Sequence, residues 1–525
     1  MKKTLLQPTS AVPPSRILTL LPGILHDKPA GLPNSVLQRC TALNSANVEV
    51  VLLVPAYNRN HSPNMASLRS AGRLSKGTFV HNLYDDLKSL SNTQSFPLAL
   101  GRRKFKVPKL TSRFTRSSDI QVDPGKPWIE RVYVSGKYVE FRQYENRQRE
   151  QLQFVDLLSD GKRHTRIGYN SSGKPDYVQA YSSDSESSLR TYIDTKSQVF
   201  LIESVNPTGK ITNYEVLTKD GLTSLPSLSE LIKFWLGTCF QAELNNGILI
   251  SEYAFHQKQL EELANDYDTS VIYTFHNNHY ASPHRYGSPF KPELVSFLNN
   301  MHTMDAVVVL TDEQKLDLQK RFQKPANIVV IPHAVPPKAL EVPSIPIERD
   351  PNLIVMIGRL AKEKGHRAVI ENFHLLLAKV PAARLEIYGH GPESGTLQAL
   401  IDELDLSNSV SLKGFTHSVA ESYRSAAISL FPSDFEGHPL ALIEACAFGA
   451  VPVAYNFKYG AQAMIRNGHN GILVDPSGIV ELLDSAALLL TDNDLWTKFN
   501  KELTSTDVYT PSDLADNWLD LFSTL

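Results

Sequence analysis

The chain has 525 residues, and its 53 basic and 55 acidic side chains leave a net charge of −2. That length predicts two to four domains, and that balance gives no global attraction to nucleic acid. The three cysteines, Cys40, Cys239 and Cys446, are scattered and odd in number, which argues against a disulfide framework or zinc site and suits a reducing cytoplasm.

The opening run MKKTLL breaks on Gln7, Pro8, Pro13 and Pro14, so it reads as a cytoplasmic start rather than a secretion signal. No apolar run approaches the ~18 residues that span a bilayer. Residues 16–22 predict a buried strand, 33–46 a helix after the glycine turn PAGLPN, and 48–55 a second strand. Strand, glycine turn, helix and strand open a doubly wound α/β sheet.

From about 80 to 220 helical periodicity lapses and strand-like runs take over. Four turns share one form: Ser135-Gly136-Lys137, Asp160-Gly161-Lys162, Ser172-Gly173-Lys174 and Thr208-Gly209-Lys210. Glycine supplies the positive φ of tight hairpins. The upstream glycine and following Ser/Thr of a phosphate loop are missing, so an antiparallel β insertion is expected. Within it, residues 101–116 (GRRKFKVPKLTSRFTR) are basic without an acid, which suits either a polyanion or a solvated loop.

Helices and strands alternate again from about 227, through SVIYTFHN (270–277) to NIVVIPHAV (327–335). A proline-rich linker follows to about 351, where no regular structure is expected. A second α/β unit begins at NLIVMIGRL (352–360), and SDLADNWLDLF near the end predicts an amphipathic helix. The expected division is therefore 1–79 and 221–340 as one α/β domain, 80–220 as its insertion, 341–508 as a second domain, and 509–525 as a helix packing back. Sites in such sheets lie outside the carboxyl ends of the strands.

The run FEGHPLALIEACAFG (435–449) places Glu436 after a strand and Glu444 about two turns into a helix. Pro439 suits the first helical turn, and the unpaired N–H groups near Leu440 and Ala441 form an anion site. Two carboxylates flanking a diphosphate there suit sugar hydroxyls, because ionised carboxylates only accept hydrogen bonds. A capping Glu436 with a solvent-facing Glu444 is the structural alternative. Arg359 and Lys364 follow the first strand of this half, where two cations neutralise a diphosphate or stand as solvated loop charge. In EIYGHGPE, His390 lies between Gly389 and Gly391, where backbone can approach a ligand closely.

With GRLAKEKG, YGHGPE and FEGHPLALIEACAFGAVPVAYN in hand, the chain resembles the retaining family-four glycosyltransferases. The β insertion and YNFKYGAQAMIRNGHNGILV are similar to the bacterial wall teichoic acid α-glycosyltransferases, including poly(glycerol-phosphate) α-glucosyltransferases, and to the transferases that start glycosylation of serine-rich adhesins. The resemblance implies an α/β GT-B fold, two Rossmann-like domains facing across a cleft, with the insertion in the N-terminal domain. It also implies a nucleoside diphosphate sugar, UDP-linked, as donor substrate and no other cofactor; with no Asp-x-Asp at a strand end and no clustered His/Cys set, no metal is expected.

By the same resemblance Arg359 and Lys364 bind the donor phosphates, Glu436 the donor sugar and Glu444 the ribose. Gly31 belongs to the turn facing the diphosphate, with Gly389, His390, Gly437, Leu440 and Ala441 lining the site, and His276 lies near the transferred sugar. On residues alone His276 is equally a strand-end structural histidine, and His279 competes for its role. Many relatives have glycine where this chain has Pro439, which has no N–H to offer. The acceptor is a polyanionic cell-surface polymer or a protein. Peripheral association with the inner face of the membrane, self-association through the insertion, and a non-catalytic partner subunit stand as further readings.

Overall fold

A computed structural model describes residues 16–29, 31–93, 106–108, 120–182, 187–218, 221–254, 256–322, 327–341, 347–416, 418–505 and 508–525. Three sheets organise them. The first is parallel and seven-stranded, in the order Ile328–Val330, Ala306–Val309, Ser270–Thr274, Ile248–Ser251, Arg16–Leu20, Glu49–Val54, Thr78–Asn82. Helices cover both faces, so its strands are apolar on both sides: Val50 to Val54 are all buried.

The second parallel sheet has six strands, in the order Val410–Gly414, Arg384–Tyr388, Asp350–Ile357, Ala426–Phe431, Val451–Tyr455, Ile472–Val474. Chain order reverses between Asp350–Ile357 and Ala426–Phe431. Loops leaving the carboxyl ends of two such strands diverge and open a crevice. The linker is more regular than expected, because Pro337–Leu340 makes a 3-10 turn and the strand starts at Asp350; residues 342–346 are outside the described set.

Between Thr78–Asn82 and Ile248–Ser251 the chain forms a separate ten-stranded antiparallel meander, from Ile120–Val122 to Gly221–Leu225. Gly136, Gly161, Gly173 and Gly209 all have φ between 73° and 83°, as their hairpin turns require. The expected start near residue 80 is too early. Thr78–Asn82 pairs in the parallel sheet, and Leu83–Thr93 is a helix beside it. An aromatic cluster joins the two layers: Tyr57 meets Tyr84, Tyr177 and Tyr192 at 5.3–5.9 Å, and Tyr84 Oη donates to Glu203.

The helix Pro511–Phe522 opens with a Thr510–Asp513 capping box and lies on the helix Leu32–Ser45. It buries Leu514, Trp518, Leu521 and Phe522 in the first sheet's core. Each such side chain contributes about 1.5–3 kcal/mol. The chain thus crosses back to its own first domain. Among the described residues no helix is long and apolar enough to cross a membrane.

Candidate active site

The strand Ala426–Phe431 is buried at every residue and stops just before Pro432, so the following loop emerges at the crevice. The helix Leu440–Ala447 follows, with Pro439 as its N-cap (φ −70°, ψ 118°) rather than in its first turn. Leu442 and Ile443 donate to the Pro439 carbonyl, which leaves the N–H groups of Leu440 and Ala441 as the helix's orphan donors. Leu442, Ile443, Ala445 and Cys446 anchor the helix in the core.

Glu444 is half-buried on this helix. Burial pushes its carboxyl up to about 7, and the charge of Arg73 opposes the rise. Arg73 belongs to the other half of the molecule. It donates to Asn34 Oδ1 at 2.6 Å and to the Pro29 carbonyl at 3.3 Å, so it holds the turn that contains Gly31. Gly31 (φ 56°) is the N-cap of Leu32–Ser45. In the same turn Lys28 lies 5.4 Å over the Phe415 ring, which closes one end of the cleft.

Lys364 ends the 3-10 turn Lys362–Lys364, and Gly365 (φ 71°) follows. A Cβ on Gly365 would fall 2.2 Å from the Pro432 carbonyl oxygen, so the two loops flanking the switch point pack backbone to backbone. That closeness lets Lys364 Nζ donate to Glu436 Oε1, which also accepts from Ser433 Oγ at 3.0 Å. Arg359 does not join them. Its exposed guanidinium pairs with Glu363.

The glycines of the GHG turn have a structural reason that the sequence does not reveal. A Cβ on Gly389 would lie 1.8 Å from the Gly358 oxygen, and one on Gly391 2.1 Å from the Leu360 oxygen. The close approach expected with a ligand is made here with the neighbouring strand's loop. His390 is exposed, with its ring beside Gly414.

Gly437 joins the halves. A Cβ there would be 2.4 Å from the His276 carbonyl oxygen and 2.8 Å from Asn277 Cα. Glu436 and His276 therefore belong to one cluster. His276 Nε2 lies 2.7 Å from Glu252 Oε2 and 3.1 Å from Thr274 Oγ1. Its ring stacks at 5.7 Å on His333, which is 5.8 Å from His438.

His279, the competing histidine, has a different place. It is fully buried, and burial lowers it to about 3, with Lys291 and Lys458 adding to the effect. It stacks on Tyr459, whose hydroxyl donates to Asp317 at 3.0 Å. Lys458 pairs with Asp317 and Glu313 at 2.9 Å each. Asn278 Nδ2 donates to the Lys458 carbonyl at 2.9 Å. The segment Lys458–Tyr459 thus clasps the helix Asp312–Arg321 of the opposite domain.

Sequence reasoning missed Arg73, Glu252, Arg39, Ser433 and this clasp. Ser433 sits three residues before Glu436 in the same loop and could have been read as its partner; the others acquire theirs only through the fold. Of the basic stretch 101–116, only 106–108 is among the described residues. Among the described residues no group of three or more His, Cys, Asp or Glu is placed to hold a metal ion.

Comparison with known proteins fits this geometry. Residues 338–505 match the family model "Glycosyl transferases group 1". The chain is 22% identical to a Bacillus subtilis poly(glycerol-phosphate) alpha-glucosyltransferase over 94% of its own length and 73% of the relative's. Its fold superposes with a TM-score of 0.81 on S. aureus TarM, solved with fondaparinux, alpha-GlcNAc-glycerol and UDP, at 20% identity and covering 97% and 99% of the two chains. For the pneumococcal O-GlcNAc transferase GtfA, solved with UDP and GlcNAc, the TM-score is 0.73 at 17% identity, covering 96% and 97%. The chain has the GT-B fold, its residues 338–505 match the group 1 glycosyl transferases, and over most of its length it is similar to a poly(glycerol-phosphate) alpha-glucosyltransferase.

Proposed function

We propose that the chain transfers a hexose or N-acetylhexosamine from a UDP-sugar to a cell-surface polyol-phosphate polymer, with retention of anomeric configuration. One observation carries the reading: the Lys364–Glu436 pair, set at a topological switch point, is packed through Gly437 against His276 of the facing domain.

In this reading the diphosphate sits at the start of the helix Leu440–Ala447, where orphan N–H groups and the helix dipole favour an anion. Lys364 and Arg359, released from Glu363, hold the phosphates, while Glu444 takes the ribose hydroxyls. The acceptor hydroxyl attacks C1 on the face from which UDP departs. The C1–phosphate oxygen bond breaks, and the leaving phosphate oxygen takes the acceptor proton. Glycoside and UDP result, and no enzyme nucleophile is needed. Glu436 and His276 hold the sugar during the exchange. The reaction needs no metal, so saturating EDTA leaves turnover unchanged.

The likeness to a poly(glycerol-phosphate) glucosyltransferase and to TarM favours a polyol-phosphate acceptor. The chain would meet it in the cytoplasm, at the inner face of the membrane, with the β insertion serving self-association.

A thermal-shift screen against UDP-glucose, UDP-N-acetylglucosamine and their ADP and GDP counterparts tests the donor. A ligand at 100 times its Kd adds about 2.7 kcal/mol of stability. Labelled donor offered with poly(glycerol phosphate) or with a serine-rich peptide tests the acceptor, and the anomeric proton of the product tests retention. Label on the peptide alone would move the assignment to a protein acceptor. Absence of donor hydrolysis by the chain alone would point to a non-catalytic subunit.

A further inference from the structure

Behind His276 lies an ion pair that the transfer scheme does not use. Glu252, just after the strand Ile248–Ser251, is fully buried, and Arg39, on the helix Leu32–Ser45, is 5% exposed; the two are paired. The Arg39 guanidinium also lies 4.7 Å over the Trp518 ring. Two buried charges are costly to desolvate and are often replaceable by apolar side chains without loss of stability. Their presence therefore calls for a reason beyond packing.

The second carboxylate oxygen supplies one. While Arg39 holds Oε1, Oε2 faces His276 Nε2 at 2.7 Å and accepts from Thr274 Oγ1 at 2.9 Å. Burial alone would raise the Glu252 carboxyl, but Arg39 and His276 hold it down at about 2. An ionised carboxylate only accepts, so the hydrogen of this contact is on Nε2. His276 Nδ1 is buried without a hydrogen-bond partner. The histidines in line with it do not compete for the carboxylate. Desolvation keeps His333 neutral, and burial lowers His438 to about 4.

We propose that the Arg39–Glu252 pair is a positioning device that fixes His276 as its Nε2–H tautomer and presents Nδ1 as an acceptor to a hydroxyl of the bound sugar. Arg39 anchors the carboxylate, the carboxylate orients the ring, and the Gly437 contact sets the ring's backbone beside Glu436. The inference rests on the transfer reading for its substrate, but the tautomer is a property of the protein by itself.

Two double variants test it. Arg39→Met/Glu252→Met replaces the pair by apolar side chains of similar volume and keeps the fold. Arg39→Met/Glu252→Gln restores a neutral acceptor in the same background. Long-range proton–nitrogen correlation spectra of labelled protein report the His276 tautomer, its signals identified by their loss in His276→Gln. The native chain should show the Nε2–H form, and the Met/Met variant should show Nδ1–H signal. With UDP-glucose or UDP-N-acetylglucosamine, Met/Met should lower kcat at least about 10-fold with KM within about 2-fold, as expected for a misplaced imidazole. Met/Gln should recover part of the loss.

A native Nδ1–H tautomer, or native kcat in the folded Met/Met variant, would overturn the proposal. If the native chain turns over neither donor, the transfer reading falls, and the tautomer spectra alone decide on the positioning pair.

Discussion

Lys364 Nζ and Glu436 Oε1 are hydrogen-bonded across the switch point of the C-terminal sheet. Both side chains are partly accessible, so their ion pair contributes little to folding, about 1 kcal/mol or less. In the proposed transfer its weight falls on the reaction instead. Lys364→Ala should lower transfer about 10²–10³-fold, the usual effect of losing a group that stabilises developing charge. Its melting temperature should stay near native. Steady-state kinetics beside a thermal melt check both halves of this expectation.

Glu444 gives a pH signature. Its folded-state value, about 7, lies above the ordinary 4.5 because burial disfavours the charged form. The folded chain therefore binds this proton more tightly than the unfolded chain. The stabilising effect is complete below about 4.5 and is lost as pH rises through 7, with up to about 3 kcal/mol at stake. Glu444→Gln should flatten that part of the stability–pH curve in urea titrations between pH 4.5 and 7.5. If the ionised form takes the ribose, native KM for the nucleotide sugar should rise up to about tenfold per pH unit below 7.

Gly437 tests the union of the two halves. Alanine there would press its Cβ into the His276 carbonyl at 2.4 Å, and backbone cannot yield as a flexible side chain can. The domains should part by a fraction of an ångström or more. Misplacement on the scale of 1 Å costs about 10²-fold in rate. Gly437→Ala should lose up to about 10²-fold in kcat while circular dichroism stays native.

The clasp at Lys458–Tyr459 predicts a change in shape rather than chemistry. Asp317 is buried and serves both the Lys458 ammonium and the Tyr459 hydroxyl. Asp317→Ala removes the acceptor of the Tyr459 hydroxyl and one of the two carboxylates on Lys458, which keeps Glu313, and should cost about 1–3 kcal/mol of interdomain closure. Small-angle scattering should show a larger radius of gyration in the variant, with saturating UDP restoring much of the native value.

What the sequence discloses follows from how local each signal is. The strand–glycine–helix opening, the hairpin glycines at 136, 161, 173 and 209, and the amphipathic run around Trp518 all depend on near neighbours, and all formed as expected. Lys364 and Glu436 were legible because each follows a strand at a sheet's carboxyl end. The start of the insertion was misread because the strand Thr78–Asn82 runs into it, and the helical spacing of Leu83, Leu87 and Leu90 was overlooked. Arg73, Glu252 and Asp317 were invisible for another reason. Arg39 and Glu252 are separated by 213 residues, and Tyr459 and Asp317 by 142, so only the folded chain makes them partners. Gly389 and Gly391 were noticed, but their packing against Gly358 and Leu360 needed coordinates to be seen.

The helix Pro511–Phe522 covers Leu32–Ser45, which leaves the ribosome hundreds of residues earlier. At about 5–20 residues per second, that surface waits tens of seconds for its cover. Until then the nascent first domain presents an unshielded apolar face, and a chain cut before this helix never loses it. That face is what chaperones and proteases would bind in such a fragment.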